Sequence, residues 1–467
     1  MTIEKYKEIV AYLKEILWKT DYYGHVFCVG GCVRDEIMGN EIKDIDLCLD
    51  VPNGGINFAE WMEKNGHTEG SVVVYPTYGT AMFRLKRYPD VELECVQTRK
   101  EQYKDKNSRN PETCYGSMRE DCFRRDLTIN SLYYDICNEK VLDITGNGIS
   151  DIENHIIRVT STPEIVFSDD PLRIMRVCRF SSRFGWEIEN ITYEGMKENA
   201  ERILIITKER IQDELNKMLL GPRPVMAMEL LREIGILKYI IPDIDKMYGL
   251  CQNKYHNLDV WGHSMKVLEL VSERDFSLEM RLAALFHDVG KVVTQTISEE
   301  GNIHFYQHEN ASYELVETIL TELKYPVRVI KDVQFLVKNH MITKNWEDDC
   351  SHMKLKSLRK LQYKCGDEET FEKLIVLIDC DNNAHAPEYC LPNQAKIIFD
   401  TTREMCKNDT AMFGYKLPIN GKDIMDVKGI EPGKGVRQCI DYAMKLAYNN
   451  PLMTREEMLK HIKGYKL

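Results

Sequence analysis

Two carboxylates two residues apart, a little downstream of a double glycine, are the residues of this chain best suited to chemistry at phosphorus. Gly30 and Gly31 stand between Val26–Val29, which reads as a strand, and Val33–Met38, which reads as a helix. Glycines at such a turn let backbone N–H groups approach a phosphate, and the helix that follows adds a favourable dipole. Asp44, Asp46, Cys48 and Asp50 then alternate with Ile45, Leu47 and Leu49. A strand over Asp44–Leu49 carries its acids on one face and its apolar residues on the other. Carboxylates at i and i+2 can share a pair of Mg²⁺ ions. Such ions activate an attacking hydroxyl and stabilise the leaving oxygen of an in-line displacement. Val91-Glu92-Leu93-Glu94-Cys95 repeats the alternation. Glu92 or Glu94 is therefore a third acid on a neighbouring strand, or one side of a solvated sheet; for these two the readings weigh evenly.

Three more groups of residues stand out. Arg124-Arg125-Asp126-Leu127-Thr128-Ile129-Asn130 places two arginines before an expected helix, where they can neutralise phosphates bidentately. Asp126 also suits an N-cap there. Asp169-Asp170-Pro171-Leu172-Arg173 opens a helix, with Pro171 in its first turn and acids against its N-terminal dipole. Arg173, Arg176 and Arg179 follow along one face, as part of a basic cleft or as a solvated basic stripe. Further on, His263, His287-Asp288, His308, His340 and Asp381 bring together imidazoles and carboxylates, and His287-Asp288 follows the apolar helix Leu282–Phe286. His256, His304 and His385 read as ordinary core or surface histidines.

The elements that must position these groups fall into an α+β head and a helical remainder. Strands are expected at Ser71–Tyr75, Thr80–Leu85 and Val91–Val96 as well as the two named above. The polar, aperiodic run Arg99–Met118 reads as a mobile loop. A helix is expected to start at Asp126 and run to Ile136, with a turn at Asn138. From Pro163 onward the pattern is helical, punctuated by Pro163, Pro171, Pro222, Pro224 and Pro242. Domains are expected over 1–150 (a mixed sheet with helices), 151–255 (helical neck), 256–390 (the histidine-rich unit) and 391–467 (helical tail).

A chain of 467 residues is too long for one core. Its 43% apolar and 29% charged residues fit a soluble globular protein. Met1–Lys19 has helical apolar spacing interrupted by acids, unlike a signal or transit peptide. No apolar run approaches the roughly 18 residues of a membrane span. Fifteen cysteines without paired spacing suit buried thiols in a reducing cytoplasm. The net charge of −12 argues weakly against nucleic acid, but local charge decides, and Lys86–Arg125 is rich in lysine and arginine.

GGxVRD with its DxD, RRDxTIN, and DDxxR with its following RF occur here in order, as Gly30–Asp35 with Asp44–Asp46, Arg124–Asn130, and Asp169–Phe180. Together they resemble the class II tRNA nucleotidyltransferase and bacterial poly(A) polymerase family. Pro76–Thr80 and Glu94–Arg99 join the resemblance, which extends over the whole chain.

That resemblance implies attack of an RNA 3′-hydroxyl on the α-phosphorus of CTP or ATP, with tRNA as partner and no nucleic-acid template. Asp44 and Asp46 would be the catalytic Mg²⁺ ligands. Gly30, Gly31 and Arg34 would meet the triphosphate, and Arg125, Asp126 and Asn130 the sugar and phosphates. Asp170 and Arg173 would serve as a template of amino acids, with Arg176 and Arg179 beside them. A carboxylate there accepts from the exocyclic amine of C or A and repels the carbonyl of U or G, so buried polar pairing discriminates strongly. The first acid of the third motif is usually Glu in the family and is Asp169 here. The length of the Arg99–Met118 loop is mild support for full CCA addition over A-only addition or poly(A) synthesis.

The His-Asp group resembles the HD phosphohydrolase superfamily. The carry-over makes His263, His287, Asp288 and Asp381 ligands of one metal, with His308 and His340 available for a second. Mixed imidazole and carboxylate donors favour Mn, Co, Ni, Fe or Zn. A rival class of function is thus an HD phosphohydrolase whose N-terminal domain only binds nucleotide. Intact Asp44, Asp46, Arg125 and Asp126 favour the transferase. Ile419–Met425 and Gly429–Gly435 resemble the tail of these enzymes, where Gly433 before a helix bearing Lys434 and Arg437 either meets RNA backbone or is a plain glycine helix start, the two weighing evenly.

Overall fold

The computed structural model describes residues 1–102, 112–253, 255–274 and 277–467. The chain forms two compact units, Met1–Pro242 and Asp243–Leu467.

Among the described residues, the first part of the first unit has nine strands, β1 (Val26–Val29), β2 (Ile45–Leu49), β3 (Thr68–Tyr75), β4 (Thr80–Leu85), β5 (Tyr88–Gln97), β6 (Arg99–Gln102), β7 (Glu112–Tyr115), β8 (Leu132–Asp135) and β9 (Lys140–Asp143), and a short parallel pair, Ile156–Ile157 with Glu187–Ile188, follows them. Seven of them form one sheet in the order β3-β4-β5-β2-β1-β8-β9. Strands β2 and β5 run parallel and the other neighbours antiparallel, so the sheet is mixed as the pattern predicts. The period-2 alternation does its expected work in β2. Ile45, Leu47 and Leu49 are fully buried, which turns the acids to the opposite face. The helix Gly54–Lys64 packs on β3, β4 and β5 and buries Phe58 and Met62.

Two expectations in this unit fail. The run Arg99–Met118 is not simply a loop, because its ends pair as β6 and β7, from Arg99↔Tyr115 to Gln102↔Glu112. The central part, 103–111, lies outside the described residues. In place of a helix from Asp126 there is a short turn, Thr128–Asn130, leading into β8. Asp126 cannot act as an N-cap, since one carboxylate oxygen accepts from the Leu127 N–H and the other from Arg176. Leu132, Tyr133 and Tyr134 favour an extended chain, and β8 gains a full ladder against β1. Tertiary pairing overrides the local helical reading. The turn near Asn138 is present, with the Asp135 carboxylate accepting from the N–H groups of Cys137 and Asn138.

Helices complete the unit. Pro163, Pro224 and Pro242 begin helices, and Pro171 caps Leu172–Phe184. The second unit has five helices around the histidines: Val260–Ser272, Leu278–Phe286, His308–Glu322, Val327–Asn339 and Glu368–Asn382. The tail keeps its own core of Met412, Ile419, Ile424, Cys439, Ala443 and Met458, among others. The two-unit division is coarser than the four expected segments. Its boundary precedes residue 255 because the stretch after Pro242 is bonded into the second unit. There Leu250 O accepts from Val260 N, and Gln252 accepts from Lys291. All fifteen cysteines are free.

Candidate functional site

In the first unit, Asp44 lies exposed just before β2 and Asp46 lies within it. The parallel register sets Asp46 beside Glu94 of β5. Burial, then Glu94 and Asp44, push the Asp46 carboxyl up to about 6, against the pull of Arg125. Three acids on one sheet face thus repel one another, and cations relieve that repulsion.

The opposite wall is cationic. Gly30 ends β1 with φ +78°, a left-handed conformation that favours glycine, and caps the helix Gly31–Ile37. Arg34 is buried and holds Asp35 through two parallel bonds of 2.8 and 2.9 Å, while donating to Asn130. Its guanidinium lies 5.4 and 5.2 Å from the ring centres of Phe180 and Phe184. Arg125 donates twice to Asp121, at 3.1 and 2.9 Å, and Arg124 binds the other oxygen of the same carboxylate. Asp121 has no exposed surface and also accepts from the Tyr133 hydroxyl at 2.6 Å. Burial opposes its ionisation, but Arg125 and Arg124 hold its carboxyl well below the usual range. Asp126 behaves likewise, lowered to about 2: Arg176, at 2.7 Å, outweighs its burial. Arg176 and Arg179 both reach the buried Glu214, at 3.6 and 2.7 Å.

The two walls enclose a cavity of about 700 Å³. Gly30, Gly31, Arg34, Asn130, Arg125 and Asp126 line it on one side and Asp44, Asp46, Glu92 and Glu94 on the other, with Arg176, Arg179, Phe180 and Lys217 closing it. The donor set on the acidic side is all carboxylate oxygen, which suits Mg²⁺.

The second unit holds a different centre. His263, His287 and Asp288 offer three ligand atoms within 4.8 Å of one another, and so do Asp288, His308 and His340. Asp288 belongs to both groups. Asp381 joins the first through His263 Nε2 at 2.8 Å. Each imidazole is oriented from behind. The Nδ1 atoms of His263, His287, His308 and His340 meet the carbonyls of Ala384, Ala284, Phe305 and Val337 at 3.3, 2.8, 3.0 and 2.6 Å. Donation from Nδ1 leaves the Nε2 lone pairs facing inward, 3.3 Å apart in each of the pairs His263–His287 and His308–His340. Neutral imidazoles turned lone pair to lone pair, beside buried carboxylates, fit metal ions. Without an ion, a proton takes that place on His287, where burial disfavours charge but Asp288 and Asp381 outweigh it and raise the imidazole to about 10. The site therefore attracts positive charge. A cavity of about 430 Å³ opens on it.

The comparisons with known proteins match both parts of the chain in which these residues lie. Residues 26–158 match the model of the poly A polymerase head domain, 185–248 that of a probable RNA- and SrmB-binding site of polymerase A, and 260–382 that of the HD domain. A multifunctional CCA protein of Methylobacillus flagellatus is 31% identical over 331 residues, which are 68% of this chain and 73% of that protein. The chain belongs to the class II tRNA nucleotidyltransferase and poly(A) polymerase family. The mitochondrial CCA tRNA nucleotidyltransferase of Saccharomyces cerevisiae is 23% identical, over 93% of this chain and 87% of that one. The solved structure of the Bacillus stearothermophilus CCA-adding enzyme in complex with CTP shares the fold. Its TM-score is 0.67 at 20% identity, over 96% of this chain and 95% of that one. As a nucleotidyltransferase with an HD domain, the chain is divalent-metal dependent in kind.

Within this family member the structure brings together most of the residues expected from sequence. Asp44, Asp46, Gly30, Gly31, Arg34, Arg125, Asp126, Asn130, Arg176 and Arg179 line one cavity, and both Glu92 and Glu94 join them. Asp170 and Arg173 do not line it. Asp170 is held by Arg210 at 2.7 Å, and Arg173 is buried, donating to Val166 O and Arg124 O. The basic row of this helix is therefore no solvated stripe, because its arginines are bonded to Asp126, Glu214 and main chain. Sequence reasoning missed Asp121, Glu214 and Lys217. Asp121 had a signal, since it stands three and four residues before Arg124 and Arg125. Lys291 meets Asp288 at 2.6 Å in the HD centre. His256 and His385 line the HD cavity as ring neighbours of His263, and neither belongs to its ligand groups.

Proposed function

We propose that the protein adds C, C and A to the 3′ end of tRNA from CTP and ATP, with no nucleic-acid template and with release of pyrophosphate. The observation that carries this reading is the single cavity walled by Asp44, Asp46 and Glu94 on one side and by Arg34, Arg125, Arg176 and Arg179 on the other. Arg34 and the Gly30–Gly31 backbone receive the triphosphate. Arg125 and Asn130 orient it and the sugar, while Asp121 and Asp126 hold the arginines still. Asp44 and Asp46 hold Mg²⁺, with Glu94 beside them; the ions supply an activated 3′-hydroxyl and a stabilised leaving oxygen. Asp170 and Arg173 select C and A once the base replaces their bonds to Arg210 and to the main chain. Cytosol is the expected compartment, in keeping with fifteen free cysteines. Among the described residues no helix is long and apolar enough to cross a membrane. The four segments 1–150, 151–255, 256–390 and 391–467 act as head, neck, HD domain and tRNA-binding tail, the last offering Lys434 and Arg437.

The test is direct. Asp44→Ala and Asp46→Ala each abolish nucleotide incorporation and leave tRNA binding within about twofold. Full incorporation by either variant overturns the assignment. Arg173→Ala loses discrimination among the four triphosphates more than RNA affinity, read by competing them in one reaction.

The HD centre supports a second activity, hydrolysis of phosphomonoesters or 2′,3′-cyclic phosphates. Its two ligand groups sharing Asp288 are the observation that favours it. His263, His287, Asp288 and Asp381 would hold one ion and Asp288, His308 and His340 another, drawn from Mn, Co, Ni, Fe or Zn. Such ions supply an activated water. No hydrolysis with any of these metals reduces the centre to a structural one.

A further inference from the structure

The sheet of the first unit carries one more site, which rests on the transferase reading above. In-line displacement sets the attacking oxygen opposite the leaving pyrophosphate. The triphosphate side of the cavity is the β1 side, at Gly30, Gly31 and Arg34. The acids stand on β2 and β5, so the acceptor hydroxyl enters from beyond β5, across β4 and β3.

The register shows what lies there. Asp46 pairs with Glu94, Glu94 with Met82, and Met82 with Val73. Paired residues share a face, so Asp46, Glu94, Met82 and Val73 form one row across four strands. Tyr75, two residues past Val73, stands on the same face. The row changes character along its length, from carboxylates to apolar side chains. At the edge strand β3, Val73 is 51% and Tyr75 43% exposed. One row nearer the start of β5, Arg84 faces Glu92 in an ion pair of 3.5 Å. A hollow of about 330 Å³, lined by Val73, Tyr75, Met82, Arg84 and Glu92 among others, shares Met82 and Glu92 with the nucleotide cavity.

We propose that this β3–β4 face seats the 3′-terminal nucleotide of the acceptor RNA. Its base lies against Tyr75 and Val73, and its phosphate is near Arg84. The occupant is argued from continuity, since the apolar end of the row begins where the metal-binding end stops. An aromatic face accepts any base, which suits an acceptor end whose last residue changes at each addition.

The test uses the full chain, tRNA lacking only its terminal A, and ATP. Tyr75→Ala raises KM for the RNA about tenfold and leaves KM for ATP within about twofold, while Tyr75→Phe restores the RNA value. A Tyr75→Ala RNA KM within about twofold of the parent overturns the proposal. So does an equal rise in KM for ATP, which makes Tyr75 part of the nucleotide site. Photocrosslinking the parent protein to RNA ending in 4-thiouridine checks the same point without a variant. The label falls on the peptide spanning residues 68–85, and labelling confined to other peptides overturns the assignment. If the parent protein incorporates nothing, the transferase reading falls and this inference with it. Incorporation with an unchanged Tyr75→Ala KM sinks this inference alone.

Discussion

Burial and the neighbouring Glu94 raise the Asp46 carboxyl to about 6, so this residue costs stability once it ionises without a metal. The sign follows from linkage. The folded-state pKa lies above the ordinary 3.8, so the fold gains most below 3.8 and loses that gain as pH rises through about 6. Two units correspond to about 2–3 kcal/mol as an upper bound. Metal-free Asp46→Asn should therefore unfold at a higher temperature than the parent at pH 7.5, with the difference shrinking at pH 4.5, while incorporation is abolished. A calorimetric scan at both pH values checks it. Asp121 has the opposite sign, because Arg125 and Arg124 depress its carboxyl and its stabilising contribution is lost only in strong acid. Asp121→Ala leaves two guanidinium groups without their buried partner and should cost about 3–5 kcal/mol. It should also weaken triphosphate binding, read by equilibrium titration. The acids and arginines of the cavity were legible as residue types at a spacing. Of the carboxylates that hold them, Asp121 carried only the spacing of an ordinary helix pair, and Glu214 carried no local signal because its partners Arg176 and Arg179 come from a distant helix.

At the scale of elements, strands with period-2 alternation were legible, and strands set by pairing alone, β6, β7 and β8, were not. Alternation in β2 and β5 predicted both strands and the face of each acid, since a strand buried on one side must alternate. The helix expected at Asp126 gave way to β8, whose pairing with β1 no local pattern encodes. Helix Leu172–Phe184 was placed correctly, but the partners of its arginines come from Asp126 and from Glu214 on the helix Lys208–Leu219. Glu214→Gln should loosen Arg176 and Arg179 together and raise KM for nucleotide roughly tenfold, measured with CTP and ATP separately. In the second unit, close packing positions the centre. A Cβ on Gly290 would lie 2.3 Å from His308 O and 2.5 Å from Ser312 N. Gly290→Ala should push the helix His308–Glu322 outward and lower transition-metal content, read by elemental analysis, with incorporation retained.

At the scale of the whole molecule, the chain carries two candidate metal sites in two folded units, with carboxylate oxygens alone in one and imidazoles with carboxylates in the other. After chelation, Mg²⁺ should restore incorporation but not phosphoester hydrolysis, and Mn²⁺, Co²⁺ or Ni²⁺ should restore hydrolysis. Both groups of residues were named from the sequence through motifs that resemble known families, and the fold brings the members of each together. The boundaries of the units were less visible, since the stretch after Pro242 joins the second unit through backbone and glutamine bonds that composition does not mark. The pair Asp170 and Arg173 was named from its motif, and its bonds to Arg210 and to the main chain came only with the fold. The most direct measurement is product length. Given tRNA lacking its last three nucleotides, with CTP and ATP together and Mg²⁺, the protein should add three nucleotides in the order C, C, A and stop, read on a sequencing gel. Extension by two C only, by A only, by a long run of A, or not at all would contradict the account.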